Sequence, residues 1–196
     1  MGKLLVACEY SGVIRDAFIR QGCAAVSCDF LASERPGPHY MGDVRDILYN
    51  RDWEMLIAHP PCTYLAVSGA RWFKGREREQ EEALSFVRFL MEAPIARICI
   101  ENPASIISTR VRAPDQVINP YMFGHPEKKR TCLWLKGLPP LFATDVMEER
   151  QQRVHQMGPI KHRSMERART YAGVAEAMAT QWSQYLKEGN EGWHGQ

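Results

Sequence analysis

The chain has 196 residues and a formal net charge of +2, enough for one domain that buries roughly 70% of its unfolded surface without staples; this charge alone selects no class of partner. Its six cysteines never fall in a CxxC pair and its six histidines form no HxxxH or HExxH pattern, which argues against a disulfide framework and against a metal centre. The N-terminus passes straight into a strand pattern, and no run of 18 apolar residues follows, so a cytoplasmic protein without a membrane span is expected.

Lys3 to Cys8 is an apolar run suited to a buried parallel strand, and Gly12 precedes a helical pattern with Val13, Ala17 and Phe18 on one face. Gly22 closes that helix, and a second strand from Ala24 to Cys28 ends on Asp29. An acid in that position can accept hydrogen bonds from ribose hydroxyls, although GxGxxG is absent and the dinucleotide signature fails. Residues 32–41 read as loop, Asp43 stands before a short helical stretch at Arg45 to Tyr49, and Met55 to Ala58 reads as a strand running into Pro60-Pro61-Cys62. The two prolines stiffen that corner and hold Cys62 at the carboxyl end of its strand, where open α/β sheets place ligands. A small buried thiol after a turn is the alternative reading of the same residues.

Arg76 to Glu92 has the i, i+3, i+4, i+7 spacing of an amphipathic helix through Ala83, Phe86, Val87 and Leu90, and Pro94 ends it. Strand Arg97 to Glu101 then delivers Glu101-Asn102-Pro103 to the same sheet edge as Cys62. A proline-rich excursion at about 103–125 leads to the strand Thr131 to Leu135, and Gly173 to Lys187 reads as a closing helix. Three basic clusters stand out: Arg71, Lys74, Arg76 and Arg78 beside Trp72 and Phe73; Lys128 to Arg130; and a segment at about 145–170 that includes Arg163 and Arg167. Basic side chains interleaved with aromatics suit a phosphate backbone and unstacked bases, and solvated helix faces are the alternative.

Taken in order, these motifs resemble the DNA cytosine-5 methyltransferases, in the small form encoded by phages and prophages. Pro60-Pro61-Cys62 is similar to the family's nucleophile motif and Glu101-Asn102-Pro103 to its ENV motif. FGHPEKKRTCLWL, Phe123 to Leu135, is similar to the segment that ends in QxRxR and a strand. The resemblance implies a single α/β domain over 1–196, with a doubly wound, mostly parallel Rossmann-like sheet of the S-adenosylmethionine-dependent methyltransferase type. It implies Cys62 and Glu101 as catalytic groups, and contacts to S-adenosyl-L-methionine from Glu9, Ser11, Gly12, Asp29, Asp43 and Pro60. DNA would be held by Arg71, Trp72, Lys74, Lys129, Arg130, Arg163 and Arg167, with no metal required.

The chemistry needs these types together, because carbon 5 of cytosine is a poor nucleophile until a thiolate adds at carbon 6. A carboxyl group at N3 stabilises the charge so created, and the base must be flipped out or already single-stranded to reach the thiol. The chain departs from the family in three places. Cys8-Glu9-Tyr10-Ser11-Gly12 replaces the glycine-rich turn; Glu127, Lys129 and Thr131 stand where QxRxR has its glutamine and arginines; and Tyr171-Ala172-Gly173-Val174 lacks the asparagine of the final motif. There is no room for a separate large target-recognition domain, so reading of the target sequence rests on the excursion, the basic segment, a second subunit in a two-fold dimer, or nothing. Modification of a pyrimidine in RNA or in a nucleotide is an alternative expectation, and a non-catalytic DNA-binding accessory protein of the same fold is another.

Overall fold

The computed structural model describes residues 2–151 and 169–187. Seven strands form one sheet: β1 Lys3–Ala7, β2 Ala24–Asp29, β3 His39–Met41, β4 Met55–Ala58, β5 Arg97–Pro103, β6 Gln116–Ile118 and β7 Thr131–Lys136. Their spatial order is β3-β2-β1-β4-β5-β7-β6. The β1–β2, β1–β4, β2–β3 and β4–β5 pairs are parallel, while β7 runs antiparallel to both β5 and β6. The order reverses between β1 and β4, which opens a crevice at their carboxyl ends.

Helices cover both faces, and the alternation along each strand decides which. Leu4 and Val6 of β1 point into one core with Ile14, Ala17 and Phe18 of α1 (Val13–Arg20) and Ala175, Met178 and Trp182 of α5 (Ala172–Lys187). Leu5 and Ala7 point the other way, toward α2 (Arg45–Leu48), α3 (Glu77–Met91) and α4 (Ile107–Arg110). Each large apolar side chain buried in these layers contributes roughly 1.5–3 kcal/mol. Gly22 follows α1 at φ 81, as its place after the apolar pattern predicts.

The stretch 32–41, expected as loop, contains the edge strand β3. Three residues are too few to carry an alternation, and side chains fix the strand instead. The Ser27 hydroxyl lies 2.8 Å from His39 Nδ1, and His39 Nε2 lies 2.9 Å from the Leu31 carbonyl. The rest of the loop wraps a buried cation that sequence reading passed over. Arg15 is 0% exposed; it donates to the Ser27 and Ser33 hydroxyls, each at 3.0 Å, and to the Arg35 and Pro36 carbonyls at 3.2 and 3.1 Å. No helix among the described residues is long and apolar enough to cross a membrane.

Candidate active site

Met55 to Ala58 is a fully buried strand, and the chain leaves it under close restraint. The His59 amide donates to the Ala7 carbonyl at 3.0 Å, which keeps the start of the loop on β1. Asn102, buried on β5, donates from Nδ2 to the Pro60 carbonyl at 2.8 Å. The Cys62 carbonyl accepts from the amides of Leu65 and Ala66 at 3.0 and 2.9 Å, which turns the chain. Ala66 then bridges Ser105, with Val67 donating to the Ala104 carbonyl at 3.0 Å and Ile106 to the Leu65 carbonyl at 2.9 Å. The loop that carries the thiol is thus fastened along its length to the strand and loop that carry Glu101. Cys62 is solvent-exposed, so it is not the buried thiol that the alternative reading required.

Glu101 points into the fold with a side chain only 10% exposed, and its Oε2 lies 3.4 Å from Nδ1 of His59, itself 13% exposed. That distance permits ion pairing, but Oε2 has no hydrogen-bond partner. Among the described residues, the buried side-chain nitrogen and oxygen atoms without a hydrogen-bond partner are His59 Nε2, Glu101 Oε2, Asn102 Oδ1 and Ser105 Oγ. His59 and Ser105 follow β4 and β5, and Glu101 and Asn102 lie at the carboxyl end of β5. Buried polar atoms are almost always paired, so this concentration distinguishes the place among the described residues.

The turn after β1 adds a second acid. Glu9 is buried, and its carboxylate accepts from the Ile14 amide at 2.8 Å and the Arg15 amide at 3.4 Å, with the Ser11 hydroxyl donating at 3.3 Å. It therefore fills the N-terminus of α1, where a nucleotide-binding turn leaves amides open to an anion. Burial raises the Glu9 carboxyl above its ordinary range, partly opposed by the nearby His59 and by the two amides. Gly12 takes φ 70, and a Cβ there would meet Arg15 Nη2 at 2.5 Å, so its first requirement is the buried guanidinium.

On the other side of the crevice a cavity of about 280 Å³ opens between the carboxyl ends of β1 and β2 and helix α3, walled by Cys8, Asp29, Phe30, Asp43, Pro61 and Phe86. Asp29 caps its own turn, accepting from the Leu31 amide at 2.9 Å. Asp43 accepts from the Arg45 amide and from its guanidinium, each at 2.9 Å, and the amide bond foremost holds its carboxyl below the ordinary range. Arg45 in turn lies 4.9 Å from the Phe86 ring centre, which joins the Asp43 turn to the α3 wall. Cys8 occupies the left-handed region at φ 58, and burial, then Asp29, pushes its thiol up to about 12.

The expected nucleic-acid residues are distributed unevenly. Arg71, Trp72 and Lys74 are exposed just beyond the thiol loop, Arg71 and Trp72 on a 3-10 turn at Val67–Trp72, with the Arg71 guanidinium 5.1 Å from the Trp72 ring centre and Trp72 70% exposed. Arg130 is exposed at the start of β7. Lys129 is half-buried at the entry to α5, donating to the Arg169 carbonyl at 3.4 Å and lying 5.6 Å from the Tyr171 ring centre. Arg163 and Arg167 lie outside the described residues, as does most of the basic segment. At the final motif, Gly173 has a packing role: its amide donates to His125 Nε2 at 2.9 Å, and a Cβ at 173 would run into the Phe123 carbonyl oxygen.

His59, Arg45, Phe30 and Phe86 are not among the site residues expected from sequence. His59 and Phe30 carried a weak signal, each flanking a residue already singled out; Arg45 and Phe86 carried none, because only the fold brings α3 against the Asp43 turn. Among the described residues, no group of three or more His, Cys, Asp or Glu is arranged to hold a metal ion.

No protein-family model matches the sequence, and no curated protein matches it. Solved structures do share its fold. The methyltransferase EhMeth of Entamoeba histolytica superposes with a TM-score of 0.51 at 12% identity, over 82% of this chain and 61% of that one. A prophage-encoded E. coli protein described as a DNA modification methyltransferase gives a TM-score of 0.43 at 12% identity, over 69% of this chain and 46% of that one. The chain thus spans about half to three-fifths of the length of these two structures. At such identity the likeness speaks for the fold alone: mixed α/β, a mostly parallel seven-stranded sheet, shared with a methyltransferase.

Proposed function

We propose that this chain is a DNA cytosine-5 methyltransferase of small phage type, using S-adenosylmethionine in the cytoplasm of a prokaryotic or phage-infected cell. The observation that carries the reading is the meeting of the β4 and β5 edges. An exposed thiol sits on a stiff loop whose Pro60 carbonyl is held by Asn102, the neighbour of the buried Glu101, close in sequence to four buried polar atoms without a hydrogen-bond partner. The strand order, with its reversal between β1 and β4, supports reading the sheet as the doubly wound Rossmann-like frame that such enzymes use.

The crevice fits the donor on its own chemistry. Its walls bring Asp29 and Asp43, with the one cation, Arg45, already paired to Asp43. The amides of α1 are satisfied by Glu9 rather than left for a phosphate. A site so lined disfavours phosphate-bearing cofactors and suits an adenosine attached to a cationic group. Asp29 would take the ribose hydroxyls and Asp43 the adenine amine, with Phe30 and Phe86 as apolar walls. Glu9, Ser11, Gly12 and Pro60 would border the amino-acid end. When bound, S-adenosylmethionine supplies a methyl group activated by its sulfonium.

This chain's residues do the rest. The Cys62 sulfur adds at carbon 6 of the pyrimidine and moves the π electron pair toward carbon 5. Glu101, protonated, donates to N3 and so disperses the charge. After carbon 5 is alkylated its proton leaves to water, the electron pair restores the ring double bond, Cys62 departs as thiolate, and the N3 proton returns to Glu101. Trp72 and Arg71, exposed beyond the thiol, offer a stacking plate and a cation for an unstacked strand.

The test is expression in a host free of cytosine methylation, with 5-methylcytosine measured in digested DNA and S-adenosylmethionine binding followed by calorimetry. Methylated cytosine that disappears in Cys62→Ala while donor binding persists is the expected result. Donor binding without any 5-substituted cytosine overturns the reading, and no donor binding at all favours an accessory DNA-binding role.

A further inference from the structure

The acid expected at N3 is not alone: an imidazole stands against it. His59 leaves β4 one residue before the proline pair, and its Nδ1 lies 3.4 Å from Glu101 Oε2. Both groups are largely shielded from solvent, and neither Oε2 nor His59 Nε2 has a hydrogen-bond partner. From the turn after β1, Glu9 acts electrostatically on the same imidazole. Glu9, His59 and Glu101 thus stand at the carboxyl edges of three neighbouring strands, β1, β4 and β5. Asn102, one residue beyond Glu101, is occupied in holding the Pro60 carbonyl, so it leaves the imidazole as the group set against Oε2.

We propose that His59 is the positioning residue of Glu101: the imidazole engages Oε2, turns the other carboxyl oxygen toward the base, and shares its own Nδ1 proton with the carboxylate left once N3 is protonated. This deepens the proposed function and rests on it. When the Cys62 thiolate adds to carbon 6, the proton passes from the Glu101 hydroxyl to N3 and leaves a carboxylate. The charge of that carboxylate is met by the His59 Nδ1 proton rather than by water. On elimination the N3 proton returns and the pair is restored, so the imidazole is neither consumed nor oxidised. The thiol needs no such partner from His59, whose ring faces Glu101.

The experiment compares His59→Ala and His59→Asn with the wild type for the single-turnover rate of methyl transfer to a cytosine-containing oligonucleotide, with donor binding followed by calorimetry. The alanine variant is expected to lose about 10²-fold in rate, the lower end of what a positioned proton-transfer group contributes, with donor affinity within about threefold of wild type. Added imidazoles restore its rate, and the restored rate depends on the basicity of the imidazole used. The asparagine variant, which can donate to Oε2 but cannot carry a proton, stays slow. Either variant matching the wild type overturns the inference, as does rescue that is equal for imidazoles of every basicity, because a space-filling role predicts that. Should alanine not fold, the asparagine variant decides alone. A wild type that binds the donor yet transfers nothing overturns the proposed function, and this inference with it; an active wild type with an indifferent His59 overturns the inference only.

Discussion

Replacing Asn102 with alanine tests whether the acid-bearing strand holds the thiol loop. The amide is buried at 2% exposure and donates to the Pro60 carbonyl at 2.8 Å. Its removal leaves that carbonyl without a donor, which costs about 1–3 kcal/mol for a buried group. The loss is partly offset because Asn102 Oδ1, itself without a partner, disappears too. The expected net is about 1–2 kcal/mol, or about 2–4 °C in Tm for each kcal/mol in a chain of this length. Asn102→Asp keeps the shape but sets an oxygen against an oxygen, so it is expected to be at least as damaging as alanine. The loop effect is read separately by the alkylation rate of Cys62 under native conditions, which should rise as the proline corner loosens. An alanine variant with unchanged Tm and unchanged alkylation would refute the claim that Asn102 fastens the loop.

The other expectations are simpler. Gly173→Ala should cost about 1–3 kcal/mol, as overpacking does, because the new carbon meets the Phe123 carbonyl; an unchanged urea midpoint argues against that close approach. In the native protein at pH 8 a maleimide should label Cys62 alone among the six cysteines, with Cys62→Ser abolishing it, because Cys62 is exposed while burial, then Asp29, pushes the Cys8 and Cys28 thiols up to about 12. Mass mapping that finds Cys8 or Cys28 modified first counts against this. Glu9 titrates above its ordinary value of 4.5 because it is buried, so the folded state holds a proton that the unfolded chain releases. Its contribution to stability is full below pH 4.5 and lost as pH rises through the folded value. Glu9→Gln cannot ionise and should flatten that decline; parallel curves of urea midpoint against pH would rule the assignment out.

Much of the frame was legible because it rests on short-range pattern. The runs Lys3 to Cys8 and Met55 to Ala58 and the 3.6-residue spacing of α3 identify buried strands and an amphipathic helix without reference to neighbours. Illegible were features whose cause lies across the chain. Strand β3 depends on His39 reaching Ser27 and Leu31, and the loop before it depends on Arg15, which in sequence is one more basic residue on a helix. The site divides the same way. Cys62 and Glu101 announce themselves by motif, but the facing of His59 toward Glu101 requires the β4–β5 register, in which Ala58 pairs Ile100. Glu9 is expected from its place in the turn after β1, but the reach of its carboxylate forward to cap the helix it precedes is not written in the motif.

The pairing of Ala66 with Ser105, and of their neighbours, separates two kinds of evolutionary freedom. Any insertion between Pro60 and Val67, or between Glu101 and Ile106, would slide one seam against the other and change the spacing of thiol and acid. Beyond those seams the constraint lapses: the 3-10 turn carrying Arg71 and Trp72 contains no buried residue, and residues 108–114 are mostly exposed. Under the proposed function, changes in length and charge can accumulate there and alter how a nucleic acid would be held, while Cys62 and Glu101 keep their mutual position. Such a split would let one small scaffold be retuned toward new substrates without rebuilding the proposed chemistry.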